Sequence, residues 1–214
     1  MPLYKTITVT PTTKVLIWKI SEDFETLATP IKLTENCQIR VDGMKSDLHQ
    51  RGFMSVRHLL ALEGYTDHDL FYDANGKPHL RDGRKISITH SFTFSAIIVS
   101  DTEVGIDIEM QRHKILKIAH KFTPIEEYRT LANEDAVMRK LTMVWGAKES
   151  LYKSFATPGT SFLQHIYVED FDLNDLKTTS EVSYEGKTEN YKVWFLEFEG
   201  FTCAYALLSE AEQV

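Results

Sequence analysis

Val104-Gly105-Ile106-Asp107-Ile108-Glu109 and Trp145-Gly146-Ala147-Lys148-Glu149-Ser150-Leu151-Tyr152-Lys153 decide how this chain is read. The first run is rich in β-branched residues and reads as a strand. Asp107 and Glu109, at i and i+2, then share one face, while Ile106 and Ile108 point the other way into apolar packing. The second run has a helical pattern. Glu149 and Lys153 share a face at i and i+4, as do Trp145 and Glu149. Lys148 is rotated by about 100° from Glu149, close enough to flank a cleft. Magnesium takes oxygen ligands, usually one or two carboxylates together with substrate phosphates and water. The two runs therefore suggest a magnesium site beside a cationic clamp for phosphates. Each also has a plainer reading. The first could be the solvated face of an edge strand. The second could be a surface Glu–Lys pair worth about 0.2–0.5 kcal/mol.

Composition sets the frame for this chemistry. A chain of 214 residues that is 43% hydrophobic and 26% charged is globular rather than disordered. A net charge of −7 argues against a bulk nucleic-acid binder. Cys37 and Cys203 make no zinc pattern, and two free thiols in a reducing compartment are expected. No signal pattern opens the sequence and no run is long enough to span a bilayer, so a cytoplasmic protein with no membrane partner is expected.

Outward from the two runs, strands are expected at Thr6–Thr10 and Lys14–Ile20. Ser21 offers an N-cap for a short helix running to Pro30. A helix is expected from Met44 to Leu62, stopped by Gly64. Asn75-Gly76 marks a turn between extended pieces. Ile86–Ile88 and Phe94–Val99 read as strands leading to Val104–Glu109. Thr123-Pro124-Ile125-Glu126 is a capping box with proline at the first helical position. A long helix runs from Glu134 to Phe155. Extended runs follow at Phe162–Phe171, Tyr191–Phe198 and Phe201–Leu208. The sum is an α+β fold of two lobes, 1–103 and 104–214, the second carrying the magnesium site.

Two further groups belong to the chemistry. His90 lies at a strand end, where an imidazole can donate to a phosphate. Lys77 lies on a turn between Gly76 and Pro78. Taken alone, each has an ordinary structural reading. The ordered set is more telling: Gly76-Lys77-Pro78, Ile88-Thr89-His90-Ser91, Gly105-Ile106-Asp107-Ile108-Glu109 and Trp145 to Lys153. In that order these motifs resemble the 4′-phosphopantetheinyl transferase superfamily, in its longer, Sfp-type branch. The resemblance implies a pseudo-dimer of two similar α+β lobes, with coenzyme A in the cleft between them. It implies transfer of the phosphopantetheine arm of coenzyme A to a serine of an acyl or peptidyl carrier protein, with release of 3′,5′-ADP. Asp107, Glu109 and Glu149 would hold Mg²⁺. Glu149 would also be the candidate base, directly or through water. Lys148 and Lys153 would contact the phosphates, His90 a coenzyme A phosphate, and Lys77 the nucleotide. Arg51 and Arg57 are the candidate N-terminal phosphate cations.

Gly146 departs from the serine that many relatives carry, and as a mid-helix residue it costs about 1 kcal/mol against alanine. Lys114, Lys117 and Lys121 fall on one helical face, a basic stripe suited to an acidic carrier-protein helix. A monomer is expected, because two lobes in one chain would supply the site. Two other readings stay open: a different metal-dependent enzyme of phosphate chemistry, such as a hydrolase or nuclease, and a catalytically silent coenzyme A or carrier-binding module.

Overall fold

The computed structural model describes residues 3–124 and 133–209. The fold is α+β, built from helices and two antiparallel sheets. The chain divides into two units, Met1–Asp101 and Thr102–Val214.

Unit 1 opens with the hairpin β1 (Leu3–Thr10) and β2 (Thr13–Lys19). Three helices follow: α1 (Phe24–Ala28), α2 (Glu35–Asp42) and α3 (Asp47–Leu62). The cap of α1 is Asp23 rather than Ser21; its carboxylate accepts from the Thr26 N–H at 2.8 Å. The strands β3 (Leu70–Tyr72), β4 (Pro78–Leu80), β5 (Lys85–Ser91) and β6 (Phe94–Ser100) complete the sheet, in the order β1-β2-β6-β5-β4-β3. Helix α3 lays Phe53, Met54, Val56, Leu59 and Leu60 against Leu16, Trp18, Ile97 and Val99 to form the core.

Unit 2 runs β7 (Val104–Met110), α4 (Lys114–Ile118), a 3₁₀ turn (Ala119–Lys121), and then α5 (Glu134–Phe155). The strands β8 (Ile166–Val168), β9 (Lys177–Tyr184), β10 (Lys187–Phe198) and β11 (Phe201–Leu208) follow, in the sheet order β7-β11-β10-β9-β8. Asn133 caps α5, accepting from the Ala136 N–H at 2.9 Å. The expected capping box at Thr123–Glu126 falls partly outside the described residues. Met143, Ala147, Leu151 and Phe155 of α5 form a core with Val182, Tyr191, Val193 and Ala204 of the sheet.

The two units share one plan. Each has a first strand, a long helix, and four strands whose last pairs back onto the first. Thus β2-β6-β5-β4-β3 of unit 1 corresponds to β7-β11-β10-β9-β8 of unit 2. Strand β1 is an addition at the edge of unit 1. No sequence repeat betrays this, because pleat and helix period constrain polarity and not identity.

Two glycines set the distance of α5 from its sheet. A Cβ on Gly105 would lie 1.8 Å from the Ser150 carbonyl oxygen, so β7 and α5 touch backbone to backbone. A Cβ on Gly146 would lie 3.2 Å from that of Ala204 on β11. Close packing is thus the structural gain at Gly146, where helix propensity alone disfavours glycine.

Candidate metal and phosphate site

Alternation along β7 turns Gly105, Asp107 and Glu109 to the same face, while Ile106 and Ile108 are fully buried on the other. Helix α5 is mostly buried from Lys140 onward. Trp145, Glu149 and Lys153 form a half-buried row along it, one turn apart. With Gly105 removing the gap, this row meets the acids of β7. The Lys153 ammonium donates to Asp107 Oδ1 at 2.7 Å and to the Ile106 carbonyl at 2.9 Å. The Trp145 indole N–H donates to Glu109 Oε1 at 3.4 Å.

The electrostatics are those of a site short of positive charge. Burial raises the Glu109 pKa, the Asp107 charge raises it further, and the Trp145 N–H with the Arg112 and Lys153 charges opposes the rise. Glu149 is pushed up to about 7, by burial first and then by Asp107, with Lys153 opposing and Glu109 adding to the shift. A buried carboxylate beside like charges favours its proton until a cation arrives. Carboxylates are the hard oxygen donors that magnesium takes. Among the described residues, no three His, Cys, Asp or Glu side chains stand at metal-ligand spacing. Lys153, ion-paired with Asp107, supplies cationic charge within the cluster. The donor type suits a hard divalent cation, while the spacing seen with Lys153 on Asp107 does not yet gather three ligands. Asp107, Glu109 and Glu149 would hold the ion, with Lys153 released from Asp107.

Lys148 turns the other way. Its side chain is on the core side of α5 at 3% exposure, donating to the carbonyls of Phe162 at 2.8 Å and Ile166 at 2.7 Å. The expectation of a phosphate contact gives way here to an internal anchor. The sequence carried a signal: Leu141, Val144, Leu151 and Phe155, at −7, −4, +3 and +7 from Lys148, mark that face as apolar.

In unit 1 the structure separates the expected cations. Arg57, at 3% exposure, pairs with the buried Asp67 at 2.9 Å and stacks on Phe53 at 3.5 Å. Burial opposes ionisation of Asp67, but hydrogen bonds from Thr34 and the Arg57 charge hold its pKa below the usual carboxylate range. Arg57 is therefore a core ion pair and not an open phosphate cation. Arg51 lies near the start of α3, 2.9 Å from Asp47 and within 3.3 Å of the Glu22 carbonyl. His90 is exposed on β5, its ring against Gly52 of α3 and 6.1 Å from the ring of His49. Lys77 follows the Gly76 turn, where its backbone N–H donates to Asp73 Oδ1 at 2.9 Å.

Lys114, Lys117 and Lys121 are all exposed, while Ile115, Leu116, Ile118 and Phe122 pack inward. The expected single helix is broken, since α4 ends at Ile118 and Lys121 sits in the 3₁₀ turn. Sequence reasoning missed the Trp145–Glu109 bond and the Gly105–Ser150 approach. A glycine facing a helix from within a strand was the available signal for the second.

Residues 103–206 match the model of the 4′-phosphopantetheinyl transferase superfamily, a span that includes Asp107, Glu109, Glu149 and Lys153. The chain is also similar to 4′-phosphopantetheinyl transferase gsp of Aneurinibacillus migulanus, 24% identical over 153 residues. That alignment covers 69% of this chain and 62% of the relative. Unit 2 is thus similar to the 4′-phosphopantetheinyl transferase superfamily, and the alignment with this relative spans less than two thirds of the relative's length.

Proposed function

We propose that this chain moves the phosphopantetheine arm of coenzyme A onto a serine of an apo acyl or peptidyl carrier protein, with Mg²⁺, releasing 3′,5′-ADP. The observation that carries the reading is the meeting of Asp107, Glu109, Glu149 and Lys153 where α5 lies on β7. The serine oxygen bonds to the phosphorus bearing the pantetheine. The bond from that phosphorus to the bridging oxygen breaks, and its electron pair leaves with 3′,5′-ADP. Such transfer depends mainly on positioning and charge neutralisation. Magnesium, when bound, offsets the charge that builds on the leaving phosphate.

The chain's own groups do the rest. Glu149, whose pKa of about 7 in the metal-free site a bound cation would lower, is the candidate base for the serine proton, directly or through water. Lys153, ion-paired with Asp107 here, would be the cation available to a phosphate oxygen once Asp107 held the ion. Arg51 and His90 are the proposed contacts for coenzyme A phosphates, and Lys77 for the nucleotide. The exposed Lys114, Lys117 and Lys121 are the proposed footing for an acidic carrier helix, by charge complementarity.

The test is incubation with coenzyme A, Mg²⁺ and a panel of apo carriers, read by intact mass. One carrier should gain the mass of one phosphopantetheine group. If every carrier stays unmodified, the reading is wrong. Reversing charge with Lys117→Glu and Lys121→Glu should raise the carrier KM about 10-fold, with little change in the KM for coenzyme A. An unchanged carrier KM removes the docking role.

A further inference from the structure

Lys148 and Trp145 stand beside the acids of the site, yet Lys148 points into the core. The contacts around them form one path. The Lys148 ammonium holds the carbonyls of Phe162 and Ile166, the two ends of the segment that enters β8. The Phe162 ring packs on Trp145 at 5.3 Å and on Tyr152 at 5.5 Å between centroids. On Trp145, Phe122 also packs edge-on at 5.0 Å, itself fully buried. Held between two phenylalanines, the indole has little rotational freedom, and its N–H meets Glu109 Oε1.

We infer that Trp145 is a positioning residue for Glu109, fixing the orientation of that carboxylate for the divalent cation, and that Lys148 supports it by anchoring Phe162. The inference rests on the proposed metal site. An outer partner that fixes one oxygen of a ligating carboxylate sets where the other points, and loss of such partners commonly lowers metal affinity by about 10- to 100-fold. The path also accounts for a lysine in this segment that need not touch substrate. Its ammonium is satisfied by carbonyls and holds backbone in place.

The experiment is direct Mn²⁺ binding to the full chain, followed by electron paramagnetic resonance, with melting temperature measured in parallel. Trp145→Phe keeps an aromatic ring between Phe122 and Phe162 and removes the donor together with the smaller ring of the indole. It should raise the Mn²⁺ dissociation constant about 10-fold and leave the melting temperature within a few degrees. In a Glu109→Ala background the same change should have no further effect on Mn²⁺ binding, because the carboxylate it orients is gone. Lys148→Met should weaken Mn²⁺ binding in the same direction. Equal Mn²⁺ affinity for wild type and Trp145→Phe overturns the inference while leaving the metal site standing. An additive effect of Trp145→Phe in the Glu109→Ala background also overturns it. Failure of the wild-type chain to bind Mn²⁺ overturns both the inference and the metal reading beneath it.

Discussion

The two units place different chemistry on the same frame. In unit 1 the register pairs Trp18 with Ser95, and in unit 2 it pairs Asp107 with Ala204. In each unit a helix serine bonds to that partner of the last strand. Ser55 Oγ meets Ser95 Oγ at 2.8 Å, and Ser150 Oγ meets the Ala204 carbonyl at 2.9 Å. Aligned on these contacts, Trp18 matches Asp107, Ile20 matches Glu109, Met54 matches Glu149 and His58 matches Lys153. The His58 ring stacks on Trp18 at 5.0 Å, where its counterpart Lys153 forms an ion pair with Asp107. Trp18, Ile20 and Met54 are buried in the unit 1 core. Leu16 occupies the position of Gly105, so α3 cannot approach its strand backbone as α5 does. The lesson is that one topology serves as a core or as a charged site, according to four side chains and one glycine.

The strongest way to break this comparison is Glu149→Gln. Loss of a positioned base lowers turnover by about 10²–10⁴-fold, and a smaller loss would demote Glu149 to a spectator. Next comes Gly105→Ala. A methyl group driven into the Ser150 carbonyl should cost about 3 kcal/mol, measurable by urea unfolding. A near-neutral result would mean that the close approach of α5 does not depend on that glycine.

A smaller effect follows from the raised pKa of Glu149. Its folded pKa of about 7 lies above the unfolded value of 4.5. The fold therefore favours the protonated form, and stability falls as pH rises from about 4.5 through 7. Glu149→Gln, a permanent neutral mimic, should stabilise the chain at pH 8 by about 1–3 kcal/mol. The gain should vanish near pH 4. A variant equally stable or less stable at pH 8 would contradict the charge crowding. Metal binding should strengthen over the same interval, because the ligand must lose its proton. The smallest effect belongs to unit 1. Met54→Leu should cost less than about 1.5 kcal/mol and leave transfer unchanged.

Much of this was legible in the sequence. Strand β7 and helix α5 were readable because their periods are strong and their ends are marked, by Asn133 before the helix and by Thr157-Pro158-Gly159 after it. Helix α2 escaped notice because Val41 is its only buried residue, so it has almost no apolar face. Strand β9 was missed because Lys177 to Tyr184 is mostly polar despite its β-branched residues, with Ser180 and Val182 the residues it buries. Of the expected extended run Phe162–Phe171, only Ile166–Val168 is strand. The acids were singled out because their types and spacing are informative. Lys148 and Arg57 were misread because a cation in a motif does not declare its direction. Its apolar neighbours one and two turns away do.

The most direct test compares the two units at matched positions. Glu149→Gln and Met54→Leu are each incubated with coenzyme A, Mg²⁺ and an apo carrier that the wild type modifies, and the carrier mass is followed with time. The account predicts that Met54→Leu modifies the carrier at the wild-type rate while Glu149→Gln leaves it unmodified over the same period. Equal rates for both variants would contradict it.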